Sequence, residues 1–174
     1  KNELNKLRLV NAEPGARQDE FREYASPPCF QHELEGPAAM ISVDVAARLN
    51  ELLEGERAGT MGVLDMNTVV GEELRAVLDT VAKDEARFCS MLRRHLVRHG
   101  YEPSKQVGVF YEKLAKRRTL EDKLRLLDRG QSAVVRALDD LVPSISDVAL
   151  REDLEEMRDT HIRNIEACAK YLNG

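Results

Sequence analysis

The sequence predicts an all-α protein, a four-helix bundle of two antiparallel hairpins joined by a long crossover and preceded by an irregular N-terminal arm. Four segments repeat apolar residues at intervals of three and four, which is the spacing of one helix face. The breaks within each hairpin are short, whereas about 19 residues, from Gly100 to Arg118, separate the second segment from the third. The bundle region has no credible strand pattern, so the prediction is helical throughout.

The length and charge of the chain exclude several classes of protein. A chain of 174 residues with 43 % apolar and 33 % charged residues is typical of one globular domain. The 26 basic and 31 acidic residues give a net charge of −5, which argues against binding to nucleic acid. No apolar run approaches the roughly 20 residues of a membrane span. The three cysteines are too few and too scattered for a disulfide framework, so we expect a cytoplasmic protein with neither a nucleic-acid nor a membrane partner.

The first 41 residues differ from the rest and predict an irregular arm, with the bundle following at 42–174. Prolines and glycines interrupt every pattern that begins in this arm. Cys29 and His32 form a Cys-x-x-His pair that could contribute to a metal site. Zinc normally needs four ligands, however, and no second pair is nearby.

The first two predicted helices form the first hairpin. Ser42 is a suitable N-cap for the first helix, and a short break at 65–68 separates it from the second, which ends before Gly100. A break this short predicts antiparallel helices. The first apolar stripe consists of Val45, Leu49, Leu52, Glu56, Gly59 and Val63. The second consists of Leu74, Leu78, Val81, Glu85, Phe88, Leu92 and Leu96.

The other two predicted helices follow the crossover. A tight turn would not need 19 residues, whereas a chain that returns along a helix would. Thr119 and Asp122 form a variant of the capping box at the start of the third helix, and Pro143 ends it. The third stripe consists of Leu120, Leu124, Leu127, Gln131, Val134, Leu138 and Leu141. The fourth consists of Leu150, Leu154, Met157, His161, Ile165, Cys168 and Leu172.

Each stripe has one polar residue near its middle, where an apolar side chain belongs. These residues are Glu56, Glu85, Gln131 and His161, and a four-helix bundle would bring them together. A buried carboxylate is costly unless it is paired, hydrogen-bonded or bound to a metal. The positive charge that balances the two glutamates would come from a metal or from basic side chains, and His161 and Arg158 are the candidates.

This combination of helices and carboxylates resembles the ferritin-like superfamily, which includes bacterioferritin and rubrerythrin. The segment Leu-Asn-Glu-Leu-Leu-Glu-Gly-Glu at 49–56 is similar to the start of bacterioferritin's first helix and puts Glu56 at the family's first metal-binding glutamate. Glu85 matches the glutamate of a Glu-x-x-His motif in which Phe88 replaces the histidine. The resemblance covers residues 42–174. The arm sequence Pro-Pro-Cys-Phe-x-His-Glu at 27–33 also resembles that of a small bacterial group within the superfamily.

The last two helices depart further from the family's ligand set. His161 matches the histidine of the second Glu-x-x-His motif, but Arg158 replaces its glutamate, and Gln131 is the nearest equivalent of a bridging glutamate. A di-iron site uses a glutamate from two helices and a Glu-x-x-His from the other two. The resemblance therefore implies a degenerate centre, and we predict that Arg158 bridges Glu56 and Glu85 while His161 hydrogen-bonds one of them. No cofactor is expected, and the protein would be a non-enzymatic structural or binding module.

Two further hypotheses remain open at the level of sequence. Glu56, Glu85 and His161 could hold one iron or manganese ion, since two carboxylates and a histidine resemble a facial triad, in an oxidoreductase or a metal-handling protein. Alternatively, Gly55, Gly59 and Gly62 on the first helix leave room for a small molecule or allow another helix to approach closely. Homodimerisation along a helix face or through the arm is compatible with each of these hypotheses.

Overall fold

The computed structural model describes residues 40–172, and these residues form an all-α bundle. Its helices are α1 (Val43–Asn67), α2 (Glu72–Arg98), α3 (Phe110–Ala115), α4 (Leu120–Leu141) and α5 (Val148–Ala169), with a 3-10 turn at Val142–Ser144. The four long helices are the four predicted from the apolar stripes, and α3 lies within the crossover. Except for Met40 and Ile41, the predicted arm lies outside the described residues, and so do Cys29 and His32. None of the described helices is long and apolar enough to cross a membrane.

The four long helices pack as two hairpins with a defined pattern of neighbours. Helix α1 packs along α2, α4 packs along α5, and α2 also contacts α5. Contact between α1 and α4 is sparse, and α3 packs against both of them. Helices α1 and α5 therefore lie on one diagonal of the bundle, and α2 and α4 lie on the other.

The ends of the helices confirm the predicted start and stop signals. The Ser42 hydroxyl accepts a hydrogen bond from the Val45 N–H at 3.2 Å, and Thr119 Oγ1 accepts one from the Asp122 N–H at 3.1 Å. Gly100 has φ +81° and follows α2 in a Schellman motif, in which the Tyr101 N–H donates to the Leu96 carbonyl at 2.9 Å. These signals fix where the crossover begins and ends.

The crossover runs back along α1 and is held there by polar contacts. The Ser104 N–H donates to Asn50 Oδ1 at 2.7 Å, and the Gly108 N–H donates to the Glu54 carbonyl at 3.0 Å. Arg57 donates to the Ser104 carbonyl at 3.0 Å. The crossover is therefore an ordered segment that places α3 over the middle of the bundle.

The apolar interior is divided into two clusters, one towards each end of the bundle. One cluster contains Leu49 and Leu53 of α1 together with Leu92 of α2 and Leu154 of α5. The other contains residues nearer the opposite ends of the same helices, among them Val63, Leu78, Leu127 and Cys168. In the sequence of each long helix, the polar residue of the stripe lies between residues of the first cluster and residues of the second. This order gives the bundle a polar layer at mid-length.

Candidate functional site

The polar layer consists of Glu56, Glu85, Gln131 and His161, and the structure brings all four together. Their exposed fractions are 2 %, 3 %, 5 % and 1 %, respectively. All four side chains line one cavity. The prediction that the four mid-stripe residues meet inside the bundle therefore agrees with the structure.

Two hydrogen-bonded pairs make up this polar layer, and each pair spans one diagonal of the bundle. His161 Nε2 on α5 lies 3.1 Å from Glu56 Oε1 on α1. Gln131 Nε2 on α4 donates to Glu85 Oε1 on α2 at 2.5 Å. Because the partners in each pair come from helices that are not neighbours, the polar layer links all four long helices across the centre of the bundle.

The orientation of the His161 ring is set by the backbone of its own helix. Nδ1 lies 2.9 Å from the Met157 carbonyl oxygen, which can only accept, so Nδ1 carries a hydrogen. This leaves Nε2 facing Glu56. Burial lowers the pKa of His161, but the Glu56 carboxylate and the two hydrogen bonds outweigh burial and raise that pKa above its ordinary value. The geometry thus favours an imidazolium that donates to the Glu56 carboxylate.

The Glu85 carboxyl group differs from that of Glu56, because within residues 40–172 no basic side chain is among the groups that act on its pKa. Burial raises the pKa of Glu85 well above its ordinary value, and the negative charge of Glu56 raises it further. The hydrogen bond from Gln131 lowers that pKa but does not cancel the other two effects. The raised pKa values of Glu85 and His161 favour a proton on the first and a positive charge on the second, and together these would neutralise the two buried carboxyl groups.

Arg158 does not take part in the polar layer, and the prediction that it bridges Glu56 and Glu85 is wrong. Its guanidinium donates to Asp159 Oδ1 at 3.0 Å and lies 3.7 Å from Asp139 Oδ1. The Arg158 side chain is 31 % exposed. Its two acidic partners at the surface hold it away from the interior.

Phe88 occupies the position at which the resemblance places a histidine. Its side chain is 1 % exposed, and its ring centroid lies 5.6 Å from that of His161. Phe88 therefore supports the face of the imidazole ring by packing. A phenyl ring offers no lone pair to a metal, so Phe88 is not a candidate ligand.

The three glycines of α1 have three different surroundings. A Cβ at residue 59 would lie 2.6 Å from Glu85 Oε2, so Gly59 makes room for that carboxyl group. A Cβ at residue 62 would lie 2.5 Å from Leu114 Cδ2, so Gly62 lets α3 approach. A Cβ at residue 55 would meet nothing within 4 Å. Of the three, Gly55 faces open space, Gly62 allows another helix to approach closely, and Gly59 accommodates a side chain; binding of a small molecule at Gly55 stays a prediction.

A cavity of about 230 Å³ lies between α1 and α4, and the four side chains of the polar layer form its floor. Its walls are mostly apolar and include Phe110 from the crossover helix α3. A second cavity of about 210 Å³ shares Gly55, Ala133 and Val134 with it and extends towards Arg48 and Leu141. Sequence reasoning missed Phe110 as a wall of the site, because the crossover pattern shows a weak helix and not what it packs against.

Three acceptor oxygens of the polar layer have no hydrogen-bond partner within the described part of the chain. They are Glu56 Oε2, Glu85 Oε2 and Gln131 Oε1. They belong to three different helices, and each is buried. Buried polar atoms normally have partners, so these oxygens mark the floor of the cavity as a place that can accept hydrogen-bond donors.

A di-iron centre does not fit these residues. Phe88 and Arg158 cannot replace a histidine and a carboxylate as ligands, and the neutral amide of Gln131 does not supply the negative charge of a bridging glutamate. His161 Nε2 faces Glu56 Oε1 at 3.1 Å, so this ring nitrogen is already engaged in a contact within the cluster. Within residues 40–172, no group of three or more His, Cys, Asp and Glu side chains is placed to hold a metal ion.

Comparison with known proteins supports the fold and defines the family. A family model described as "Domain of unknown function (DUF6306)" matches residues 43–170. The crystal structure of a ferritin-like, diiron-carboxylate protein from Bacillus anthracis str. Ames is similar over 76 % of this chain and 100 % of its own, with a TM-score of 0.66 and 17 % sequence identity. No curated protein matches the sequence. The likeness to the Bacillus protein confirms the ferritin-like fold predicted from the sequence.

Proposed function

The chain belongs to the DUF6306 family and has the ferritin-like fold, and from this premise we propose that it is a binding module without a metal centre. Its interior holds a hydrogen-bonded cluster of Glu56, Glu85, Gln131 and His161 where a ferritin-like protein would hold metal. The observation that carries the proposal is the pairing of these side chains with one another across both diagonals of the bundle. The pairing occupies His161 Nε2, Glu56 Oε1 and Glu85 Oε1, so a metal ion could bind His161 only if its contact with Glu56 were broken.

The proposal assigns the protein no catalytic residue. The cluster sets the relative positions of four helices, and the cavity beside it offers a largely apolar space with unpartnered side-chain oxygens at its floor. Ligand sites in proteins commonly combine apolar walls with a few polar groups that fix orientation. Binding, rather than chemistry, is therefore the function that this arrangement supports best.

Metal analysis tests the proposal directly. The full chain is produced in medium supplemented with iron and manganese, purified anaerobically without chelator, and analysed by mass spectrometry for metal content. We expect far less than one metal ion per chain. One or two tightly held ions per chain would overturn the proposal.

A mononuclear iron or manganese site is the second candidate. Its support is the outward position of Arg158, which leaves no guanidinium beside Glu56, Glu85 and His161. It requires the contact between His161 and Glu56 to open, so that both side chains can turn to the ion. Stoichiometric metal that is lost in a Glu85→Ala variant, with helical content retained by circular dichroism, would establish this alternative.

A further inference from the structure

The cavity between α1 and α4 has an acidic floor and apolar walls, and this combination identifies a class of ligand. Resting on the metal-free binding module proposed above, we propose that the cavity binds a primary alkyl- or arylalkylammonium compound. The ammonium group would lie at Glu56, Glu85 and Gln131, and the apolar tail would lie along the walls. The inference goes beyond the proposed function because it names the chemistry that the site accepts.

Hydrogen bonding at the floor matches a primary ammonium group in number and in kind. The three oxygens without partners are Glu56 Oε2, Glu85 Oε2 and Gln131 Oε1, and all three are acceptors once Glu85 has released its proton. A primary ammonium group has three N–H donors and no acceptor. A carboxylate ligand would bring further acceptors, and an alcohol would bring only one donor, so neither matches the floor as well.

The charges at the floor favour a cation as well. Glu56 and Glu85 are two acidic groups, whereas His161 is the only basic side chain among the described residues that line this cavity. Arg158, the nearest basic residue on the same face of α5 by sequence, pairs with Asp139 and Asp159 instead. The ammonium would take the place of the proton that Glu85 carries before binding, so binding releases that proton and keeps the floor neutral. Hydrogen bonds between charged groups are about twice as strong as neutral ones.

The walls of the cavity limit the size and polarity of the tail. Phe110, Leu127 and Val134 contribute apolar side chains. A Cβ at Gly55 would meet nothing within 4 Å, so open space remains there, whereas Gly130 lets the Phe110 ring approach. The volume of about 230 Å³ exceeds the roughly 150 Å³ of an engineered apolar cavity that binds benzene. A tail of about six carbon atoms, linear or in one ring, is therefore suitable, and a longer chain could extend into the adjoining cavity beside Leu141.

Calorimetric titration with four probes of similar length tests the inference. The probes are n-hexylammonium chloride, n-hexanol, sodium hexanoate and hexyltrimethylammonium chloride, each added to the full chain after its metal content has been measured. We expect n-hexylammonium to bind at least about tenfold more tightly than n-hexanol, because it adds charge-assisted hydrogen bonds. Hexyltrimethylammonium, which has the charge but no N–H donor, and hexanoate should bind more weakly than n-hexylammonium.

Variants of two residues localise the binding. Glu85→Gln keeps the shape of the side chain but removes its charge, and we expect it to weaken n-hexylammonium binding about tenfold. Gly55→Leu should abolish binding, because its side chain would project into the open space of the cavity. Glu73→Gln, on the exposed first turn of the same helix as Glu85, is the matched control and should bind as the unmodified protein does. Circular dichroism shows whether each variant is folded.

The outcomes separate the ammonium inference from the proposed function. Equal binding of n-hexanol or of hexyltrimethylammonium, unchanged binding in Glu85→Gln, or no binding of n-hexylammonium to metal-free protein would overturn the ammonium inference and leave the metal-free module intact. Stoichiometric metal in the purified protein would overturn both.

Discussion

Nε2 of His161 lies 3.1 Å from Oε1 of Glu56, and this contact joins two helices on a diagonal of the bundle. The two residues are 105 positions apart in the chain, and both side chains are almost fully buried. The contact therefore connects the first long helix with the last, across the interior rather than along a packed helix face. Its loss should affect the stability of the whole bundle.

Replacing His161 with leucine removes the partner of a buried carboxylate. Since breaking a buried ion pair from one side leaves an uncompensated charge, we expect His161→Leu to lower the free energy of unfolding by about 3–5 kcal/mol. Urea denaturation followed by circular dichroism measures the change. Ile162→Ala is the control, because Ile162 is adjacent in sequence but 40 % exposed and should cost much less.

The double variant Glu56→Leu/His161→Leu distinguishes the charge from the packing of this pair. Replacement of both members of a buried ion pair by apolar residues is often neutral or stabilising, so we expect the double variant to be more stable than His161→Leu alone. A double variant less stable than the single one would show that Glu56 is stabilised by some other group.

Glu85 makes the stability of the protein depend on pH. Its pKa is raised, chiefly by burial and then by the charge of Glu56 and, to a smaller extent, of Asp84. Between the unfolded pKa of about 4.3 and the higher folded pKa, the native state holds a proton that the unfolded state has lost. The free energy of unfolding should therefore fall as pH rises through that interval.

The variant Glu85→Gln should remove this part of the pH dependence. Glutamine is neutral at every pH, so we expect the variant to be more stable than the unmodified protein above the interval and to lose its advantage below about pH 4. Thermal unfolding between pH 4 and pH 8 measures the difference, with exposed Glu73→Gln as the control. An equal effect of the two substitutions would contradict the raised pKa of Glu85.

The fold was predictable because each long helix repeats its apolar residues at regular intervals, and the polar layer was predictable because each stripe has one exception. Burial of leucines on four helices places these exceptions at one level of the bundle. Phe110 was not predictable as a wall of the cavity. Whether a side chain of the crossover packs into the bundle depends on small residues of other helices. Here that residue is Gly130, since a Cβ added at this position would lie 2.8 Å from the Phe110 ring.

The error over Arg158 has a physical cause. Residues three apart on a helix differ by about 60° in direction, so Arg158 lies at the edge of the face whose centre is His161. A long guanidinium side chain at such an edge can reach either the interior or water. Acidic residues at the surface, Asp139 and Asp159, determine the outcome, and the stripe pattern contains no information about them.

Arg158 is therefore expected to contribute little to stability. Partly exposed ion pairs are worth up to about 1 kcal/mol, so Arg158→Ala should lower the free energy of unfolding by no more than that. Urea denaturation of Arg158→Ala and of His161→Leu, measured side by side, provides the comparison. A loss as large as that of His161→Leu would mean that the guanidinium reaches Glu56 or Glu85 in solution.

Asp147 caps α5 and is a further expected determinant of stability. Its Oδ1 accepts a hydrogen bond from the Leu150 N–H at 2.8 Å, and its Oδ2 lies 3.6 Å from His99 Nε2. Asp147→Ala should lower the free energy of unfolding by about 1–2 kcal/mol, whereas Asp147→Asn, which keeps a capping oxygen, should cost less. Ser42→Ala, at an exposed cap, gives the reference in the same denaturation experiment, and Asp147→Ala should cost at least as much.

Gly55 and Gly59 form a matched pair on α1, four residues apart, for testing the position of the Glu85 carboxyl group. A Cβ at Gly55 would meet nothing within 4 Å, whereas one at Gly59 would lie 2.6 Å from Glu85 Oε2. Alanine is favoured over glycine inside a helix by about 0.5–1 kcal/mol, so Gly55→Ala should raise the free energy of unfolding. Gly59→Ala has the same intrinsic advantage, but it must displace a buried carboxyl group that is hydrogen-bonded to Gln131. We therefore expect Gly59→Ala to be the less stable of the two variants by more than about 1 kcal/mol in urea denaturation.

The Glu85→Ala background provides the control for the two glycine substitutions: with the carboxyl group gone, the two alanine substitutions should have similar effects. A difference that persists there would place something other than Glu85 against residue 59.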